Sequence, residues 1–141
     1  MSKKAVKRKF HQRLFCVPAT PLPINEGAWS FEDGRLKVDL GAMPELSEKD
    51  SAVRFESDEL PDRVLLVHGI DDSYRAYSNH CACGGFRIDP VPGEEKIRCC
   101  TLMQSTYDYD GRFLKGSANK DLTVYSVLVD GDKLTIRVPQ E

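Results

Sequence analysis

Two segments decide how the chain reads. They are Asn79-His80-Cys81-Ala82-Cys83-Gly84-Gly85-Phe86-Arg87-Ile88 and Ile97-Arg98-Cys99-Cys100-Thr101-Leu102-Met103-Gln104-Ser105-Thr106-Tyr107-Asp108. Four of the five cysteines fall within them: Cys81, Cys83, Cys99 and Cys100. They form a Cys-Ala-Cys pair and a Cys-Cys pair, separated by a loop that carries glycine and proline. Thiolates are soft ligands suited to zinc, Cu(I) and iron–sulfur clusters. Gly84 and Gly85 permit backbone angles that let amides point at sulfur. Residues 104–107 follow with hydroxyls able to donate to it.

Outward from these segments the pattern is one of short strands. Residues 13–17 read as a candidate strand, closed by Pro18, Pro21 and Pro23. Residues 28–31 and 35–40 flank the turn Glu32-Asp33-Gly34 and read as a hairpin. Residues 52–55 form a short strand. Residues 63–68 contain Val64-Leu65-Leu66-Val67, an apolar run suited to a strand buried on both faces. Residues 74–78, 96–99, 106–109, 122–129 and 133–138 complete the set. Residues 44–49 offer the one helical turn, with Ser47 available for capping. Many short strands with frequent turns predict an all-β sandwich or barrel.

The length of 141 residues suits one domain. Hydrophobic residues make up 40% and charged residues 30%, enough for a modest core beneath a charged surface. No apolar run approaches the roughly 18–20 residues of a membrane span, and residues 14–18 are too short for the apolar core of a signal peptide. The expectation is therefore a cytoplasmic protein, with any membrane association made through a partner. A net charge of −2 argues against nucleic-acid binding by bulk charge. Five cysteines, an odd count in a chain of this size, argue against a secreted disulfide framework. Lys3, Lys4, Lys7, Arg8, Lys9 and Arg13 make a basic start. It reads as a solvated tail, or as a contact for an acidic partner or an anionic membrane surface.

With its spacing and flanking strands, the chain resembles the Rieske iron–sulfur domain over about residues 36–139. The family pattern is Cys-x-His-x-Gly, a spacer, Cys-x-x-His, an aromatic-Asp pair and a Gly-rich turn. Asp39-Leu40-Gly41-Ala42-Met43-Pro44-Glu45-Leu46 and the strands around 51–55, 64–67 and 74–78 also look like the family. The resemblance implies an all-β Rieske-type domain over 36–141, with stacked antiparallel sheets and two loops of the cluster-binding kind. Residues 1–35 form an extension made of the basic tail and the N-terminal hairpin. In that family each loop gives one Cys to one iron and one His to the other iron of a [2Fe–2S] cluster. Cys81 and Cys100 fall at the two Cys positions. Cys83 and Met103 stand where the two His would be, so the pattern is Cys-x-Cys and Cys-x-x-Met. Phe86 and Leu102 occupy the positions of the Cys pair that locks the loops in respiratory members. Ser105 and Tyr107 fall where the family places hydroxyls that donate to cluster sulfur, and Gly85 belongs to the same surroundings. The loop beyond the site reads Gly116-Ser117-Ala118-Asn119, without the family's proline.

Three readings of the site stay open. A [2Fe–2S] cluster persists with altered ligands: Cys81, Cys83 and Cys100, with Met103, Cys99 or His80 as the fourth. Strand alternation weighs against Cys99, which should face away from the site and pack as a small hydrophobe. Alternatively the site holds no cluster, Cys81 and Cys100 are thiols or a disulfide, and the domain is a scaffold or interaction subunit. In the third reading the sulfurs bind zinc or Cu(I). A thiolate-rich cluster would have a low potential, since all-Cys ferredoxins lie near about −400 mV against about −150 to +300 mV for the two-His centre. The role expected is that of a small electron-transfer or redox-complex subunit, not an enzyme on its own. Its partners would be proteins of a redox complex, docking through residues 1–35. His11 and His68 are isolated, and His68 reads as structural. Trp29 either packs the hairpin onto the domain or meets a partner. Cys16 reads as buried in a strand, and the carboxylates of 56–62 as a solvated loop. No Ser/His/Asp set, phosphate loop or paired carboxylate site is found.

Overall fold

A computed structural model describes residues 19–82, 85–100 and 105–139. The candidate strand 13–17, with Cys16, lies outside them. The described chain is all-β. Its strands are β1 (Trp29–Glu32), β2 (Arg35–Asp39), β3 (Ser51–Phe55), β4 (Val64–His68), β5 (Tyr74–Ser78) and β6 (Ile88–Pro90). They continue as β7 (Lys96–Cys99), β8 (Thr106–Asp108), β9 (Phe113–Lys115), β10 (Val124–Tyr125), β11 (Val127–Asp130) and β12 (Lys133–Arg137). All pairings are antiparallel, in sheets ordered β1-β2-β12-β11, β10-β5-β4-β3 and β6-β7-β8-β9.

The strand β4 explains the layering. It lies inside its sheet between β3 and β5, and all five of its residues are buried. Successive side chains of a strand point to opposite faces. Val64 and Leu66 join one core with Leu36, Val38, Phe55, Leu134 and Ile136. Leu65 and Val67 join a second with Tyr77, Ile88, Ile97, Cys99 and Tyr107. A sheet buried on both faces needs a continuous apolar run, and Val64-Leu65-Leu66-Val67 supplies it.

The hairpin at 32–35 closes as its sequence predicts. Asp33 (φ 54°) and Gly34 (φ 77°) take the two left-handed positions of a tight hairpin turn. Trp29 packs its ring edge-on against Phe55 at 5.4 Å between centroids, so β1 is joined to the first core. Ahead of it, residues 19–21 run along β3. Arg54 donates its amide to the Pro21 carbonyl at 2.9 Å and its Nε to the Thr20 carbonyl at 2.7 Å. The buried Asp89 carboxylate receives the amides of Ala19 and Thr20 and the Thr20 hydroxyl.

Three details differ from the sequence expectation. The run 122–129 is not one strand. It divides at Ser126 into β10, which pairs with β5, and β11, which pairs with β12 in another sheet. An apolar pattern cannot reveal a strand that changes sheets. Beside the 3₁₀ turn Pro44–Leu46 there are two more, Glu26–Ala28 and Leu40–Ala42, each started by an Asn25 or Asp39 side chain that accepts an amide two residues on. Ser47 follows the turn Pro44–Leu46 and donates its hydroxyl back to the Pro44 carbonyl, so it closes the turn. The short strands β6 and β9, three residues each, carry too little pattern to read.

Candidate functional site

The two cysteine-bearing segments leave the same sheet. The first enters β6, the second leaves β7 and returns through β8, and Ile88 faces Cys99 across the ladder. Beyond the strand ends, Cys100 donates its amide to the Arg87 carbonyl at 3.0 Å, which ties the second segment to the first. Cys83 and Met103, the residues at the two histidine positions, lie outside the described residues.

Cys81 is buried, and its Sγ lies 3.2 Å from the Tyr107 hydroxyl. That hydroxyl also accepts the Ala82 amide at 3.2 Å. Tyr107 itself is fully buried and packs edge-on against Phe113. It is both a core aromatic and the polar neighbour of a sulfur. Either the phenol or the thiol can donate across this contact.

Ser105 is also fully buried. Its Oγ accepts the amides of Ser117 at 3.1 Å and Ala118 at 3.0 Å. The loop beyond the site is thereby fastened to the base of the second segment. Gly116 (φ +114°) makes the approach possible, since a Cβ there would lie 2.4 Å from the Ser105 Cα. Cys99 is buried among Ile97 and Tyr107, on the apolar side of β7.

The first segment is held by polar side chains from the chain just before β4 and just after β5. Arg63 donates from Nη2 to the Gly85 carbonyl at 2.5 Å and the Asn79 carbonyl at 2.9 Å. It also donates to His80 Nδ1 at 3.2 Å. Because Nδ1 accepts from a guanidinium, His80 Nε2 carries the proton it shares with Asp62 at 2.5 Å. Both ring nitrogens of His80 are thus engaged. Asn79 is buried, and its Oδ1 takes the Ile88 amide at 2.8 Å. Gly85 (φ +80°) donates its amide to the Cys81 carbonyl at 2.8 Å, which closes a turn where the sequence suggested an amide aimed at sulfur.

The carboxylates of 56–62 need a correction. Asp58 and Glu59 are exposed, but Glu56 and Asp62 are structural anions. Glu56 accepts from Arg87 at 2.6 and 2.9 Å and from Arg54 at 2.7 Å. The Arg87 hydrogen bonds, backed by Arg54, hold its carboxyl at about 2 against the opposing effect of burial. Asp62 accepts from Ser78, Tyr125 and His80. Burial works against its charge, but these donors keep its carboxyl below the ordinary value. The sequence showed an acidic cluster without its donors, because Arg87, Ser78 and Tyr125 are distant along the chain. His68 is structural: it is buried, stacks on Tyr74, and its ring nitrogens meet the Leu46 carbonyl and Asp72.

Of the described cysteines, Cys81 and Cys99 carry thiols, whereas Cys100 is disulfide-bonded. This donor set does not fit the family's two-Cys, two-His [2Fe–2S] group. No histidine stands at either position, His80 is committed to Asp62 and Arg63, and a half-cystine sulfur is not a thiolate ligand. Among the described residues, no group of three or more His, Cys, Asp or Glu is placed to hold a metal ion. No described helix is long and apolar enough to cross a membrane.

No protein-family model matches the chain, and no curated protein does. Solved structures do. The plasma-membrane Rieske protein PetC3 of Synechocystis PCC 6803 is 20% identical at a TM-score of 0.52, over 62% of this chain and 86% of that one. The ferredoxin of carbazole 1,9a-dioxygenase from Nocardioides aromaticivorans IC177 is 24% identical at a TM-score of 0.52, over 62% of this chain and 85% of that one. A quaternary ammonium Rieske monooxygenase is 16% identical at a TM-score of 0.54 over 70% of this chain, which spans 29% of that larger chain. Layered antiparallel sheets, the paired segments that enter β6 and leave β7, and these likenesses together give the chain a Rieske-type fold.

Proposed function

We propose that the chain is a small Rieske-like electron-transfer component or redox-complex subunit, working through a sulfur-rich centre at its two loops in place of the two-His cluster. The observation that carries this reading is the buried Cys81 sulfur with the Tyr107 hydroxyl 3.2 Å away. A hydrogen bond to sulfur has a purpose in a redox centre, where it raises the potential of a bound group. The candidate holders of a [2Fe–2S] cluster with altered ligation are Cys81, Cys83, Cys100 and Met103, with Cys99 or His80 as substitutes. Such a group would supply one-electron transfer at low potential. With no imidazole at its edge, the centre would move electrons without taking a proton from a substrate. Zinc or Cu(I) would suit the same sulfurs. Docking through residues 1–35 is supported by Leu22 and Ile24, exposed to 46% and 83% ahead of β1. The disulfide at Cys100 favours a second reading, a cluster-free scaffold or interaction subunit.

The test is anaerobic purification followed by metal and sulfide analysis and a visible spectrum on one sample. About two irons and two sulfides per chain, as a [2Fe–2S] group requires, with thiolate-to-iron bands, is the expected result. A colourless protein without iron sinks the electron-transfer reading and leaves the scaffold. Zinc or copper near one per chain gives the site to a soft metal.

A further inference from the structure

Residues 19–24 form an arm that is tied to the fold at three places. The Asp89 carboxylate of β6 accepts the amides of Ala19 at 3.2 Å and Thr20 at 2.9 Å, and the Thr20 hydroxyl at 2.6 Å. Arg54 of β3 donates its Nε to the Thr20 carbonyl at 2.7 Å and its amide to the Pro21 carbonyl at 2.9 Å. Glu45 accepts the Ile24 amide at 2.6 Å. Between these ties Pro21 and Pro23 have no amide to give and a fixed φ, which stiffens the arm. Thr20 is held from both sides, and both ties lead to one place. Asp89 ends the stretch Phe86-Arg87-Ile88-Asp89, by which the first cysteine segment enters β6. Arg54 reaches the same stretch through Glu56, which accepts from Arg54 and from Arg87. That stretch in turn holds the start of the segment. The Cys81 amide donates to the Phe86 carbonyl at 2.5 Å, and the Ile88 amide to Asn79 Oδ1 at 2.8 Å. We infer that the arm is a strap on the first cysteine segment, coupled to it through Thr20, so that whatever draws the arm off the fold loosens residues 86–89 and opens the Cys81 thiol. This rests on the sulfur-site reading above and adds a control over its first cysteine.

Burial sets the direction of the coupling. Thr20 and Asp89 are both buried. Hydrogen bonds to a charged group are stronger than neutral ones, and a buried carboxylate that loses donors carries a desolvation cost. The latched arm is therefore the resting state. Its release takes three donors from Asp89 and two acceptors from Arg54. Asp89 is joined to Ile88 by the backbone, and Arg54 shares Glu56 with Arg87, so both ends of the stretch 86–89 feel the loss. The linkage is reciprocal: a loosened stretch 86–89 also frees the arm. The central strand β4 takes part in neither route, since it is bonded on both sides by β3 and β5. Opening of the strap is thus a local event, distinct from unfolding of the sheets.

The test compares the full chain with Thr20→Val, which loses the hydroxyl at nearly equal volume, and Thr20→Ser, which keeps it. Two quantities are measured on the folded proteins: the rate at which N-ethylmaleimide alkylates Cys81, read by fragment mass, and amide hydrogen exchange residue by residue. Thr20→Val should raise the Cys81 rate about tenfold, the worth of one hydrogen bond to a charged group. Thr20→Ser should stay near the wild-type rate. In Thr20→Val the amides of Thr20, Cys81 and Ile88 should lose protection together while those of β4 keep theirs. An unchanged Cys81 rate in Thr20→Val overturns the inference, and so does a rise matched by loss of protection in β4. If Thr20→Val does not fold, exchange of the wild type in a series of low urea concentrations decides. Thr20 and Cys81 should then open with one common dependence on urea, and two separate openings overturn the inference. Iron-free protein with the coupling intact would sink the electron-transfer reading and leave this one. Iron-bearing protein in which the arm and Cys81 open separately would do the reverse.

Discussion

The two cysteine segments sit side by side, yet they are held by different means. The first is held by side chains from beneath: Arg63 on two carbonyls, Asn79 on the Ile88 amide, and His80 on Asp62. The second is held by backbone. It extends the β7–β8 ladder, and its base receives the loop beyond through the Ser105 oxygen and the bare Cα of Gly116. One loop thus depends on charge and hydrogen-bonding side chains that flank β4 and β5. The other depends on close approach within its own sheet. A loop of the first kind can loosen without disturbing a ladder. The described base of the second, Cys99 with Ser105 and Thr106, is itself bonded into a ladder.

The largest expected effect comes from breaking the close approach. Gly116→Ala places a Cβ 2.4 Å from the Ser105 Cα at a φ of +114°, where backbone blocks its relief. Steric overlap and left-handed strain together should cost about 3 kcal/mol or more. A thermal melt should show a fall of roughly 10 °C or more for a domain of this size. An unchanged melting temperature would show that the loop beyond the site, at Gly116-Ser117-Ala118, shifts freely and does not anchor the second segment.

Arg63→Met should have an intermediate and more local effect. It keeps the aliphatic stem but strips the donors from the Asn79 and Gly85 carbonyls. Unpaired carbonyls near the surface recover part of their bonding from water, so a loss of about 2 kcal/mol is expected. Hydrogen exchange separates this loss from general unfolding. Amides of the first segment, Gly85 among them, should lose protection while β7 and β8 keep theirs. Equal loss in both would mean that the two segments open as one unit, and the contrast drawn above would fail.

How much of this was legible in the sequence follows from the range of each interaction. The apolar run of β4, the Asp33-Gly34 turn and the alternation in β7 are local signals. They gave the layered all-β fold, the hairpin, and Cys99 on the buried side of its strand. The resemblance pointed to Cys81, Ser105 and Tyr107; the structure sets the Tyr107 hydroxyl 3.2 Å from the Cys81 sulfur, whereas the Ser105 oxygen accepts two amides of the loop beyond. Arg63, Glu56, Asp62 and Tyr125 had no such pointer. Each is an ordinary charged or aromatic residue until the fold brings a partner from a distant strand, as with Tyr125 and Asp62. For the same reason the division at Ser126 escaped notice, since a change of sheet leaves no mark on hydropathy.

The smallest effect concerns pH, and it isolates the polar side of the comparison. Glu56 bridges Arg54 of the central sheet and Arg87 of the first segment, and its carboxyl lies at about 2 against an ordinary 4.5. A carboxyl depressed in the folded state binds more protons when unfolded, so its contribution is present above pH 4.5. It is lost as pH falls from there through 2. The pair is partly open to solvent, so screening limits the contribution to about 1 kcal/mol. Denaturant unfolding of the wild type and Glu56→Gln at a series of pH values should show a stability gap of that size near neutrality, closing below pH 4.5. A gap that persists unchanged at pH 2 would assign the loss to packing instead of charge. The ion pair between β3 and the first segment would then be no part of what holds that loop.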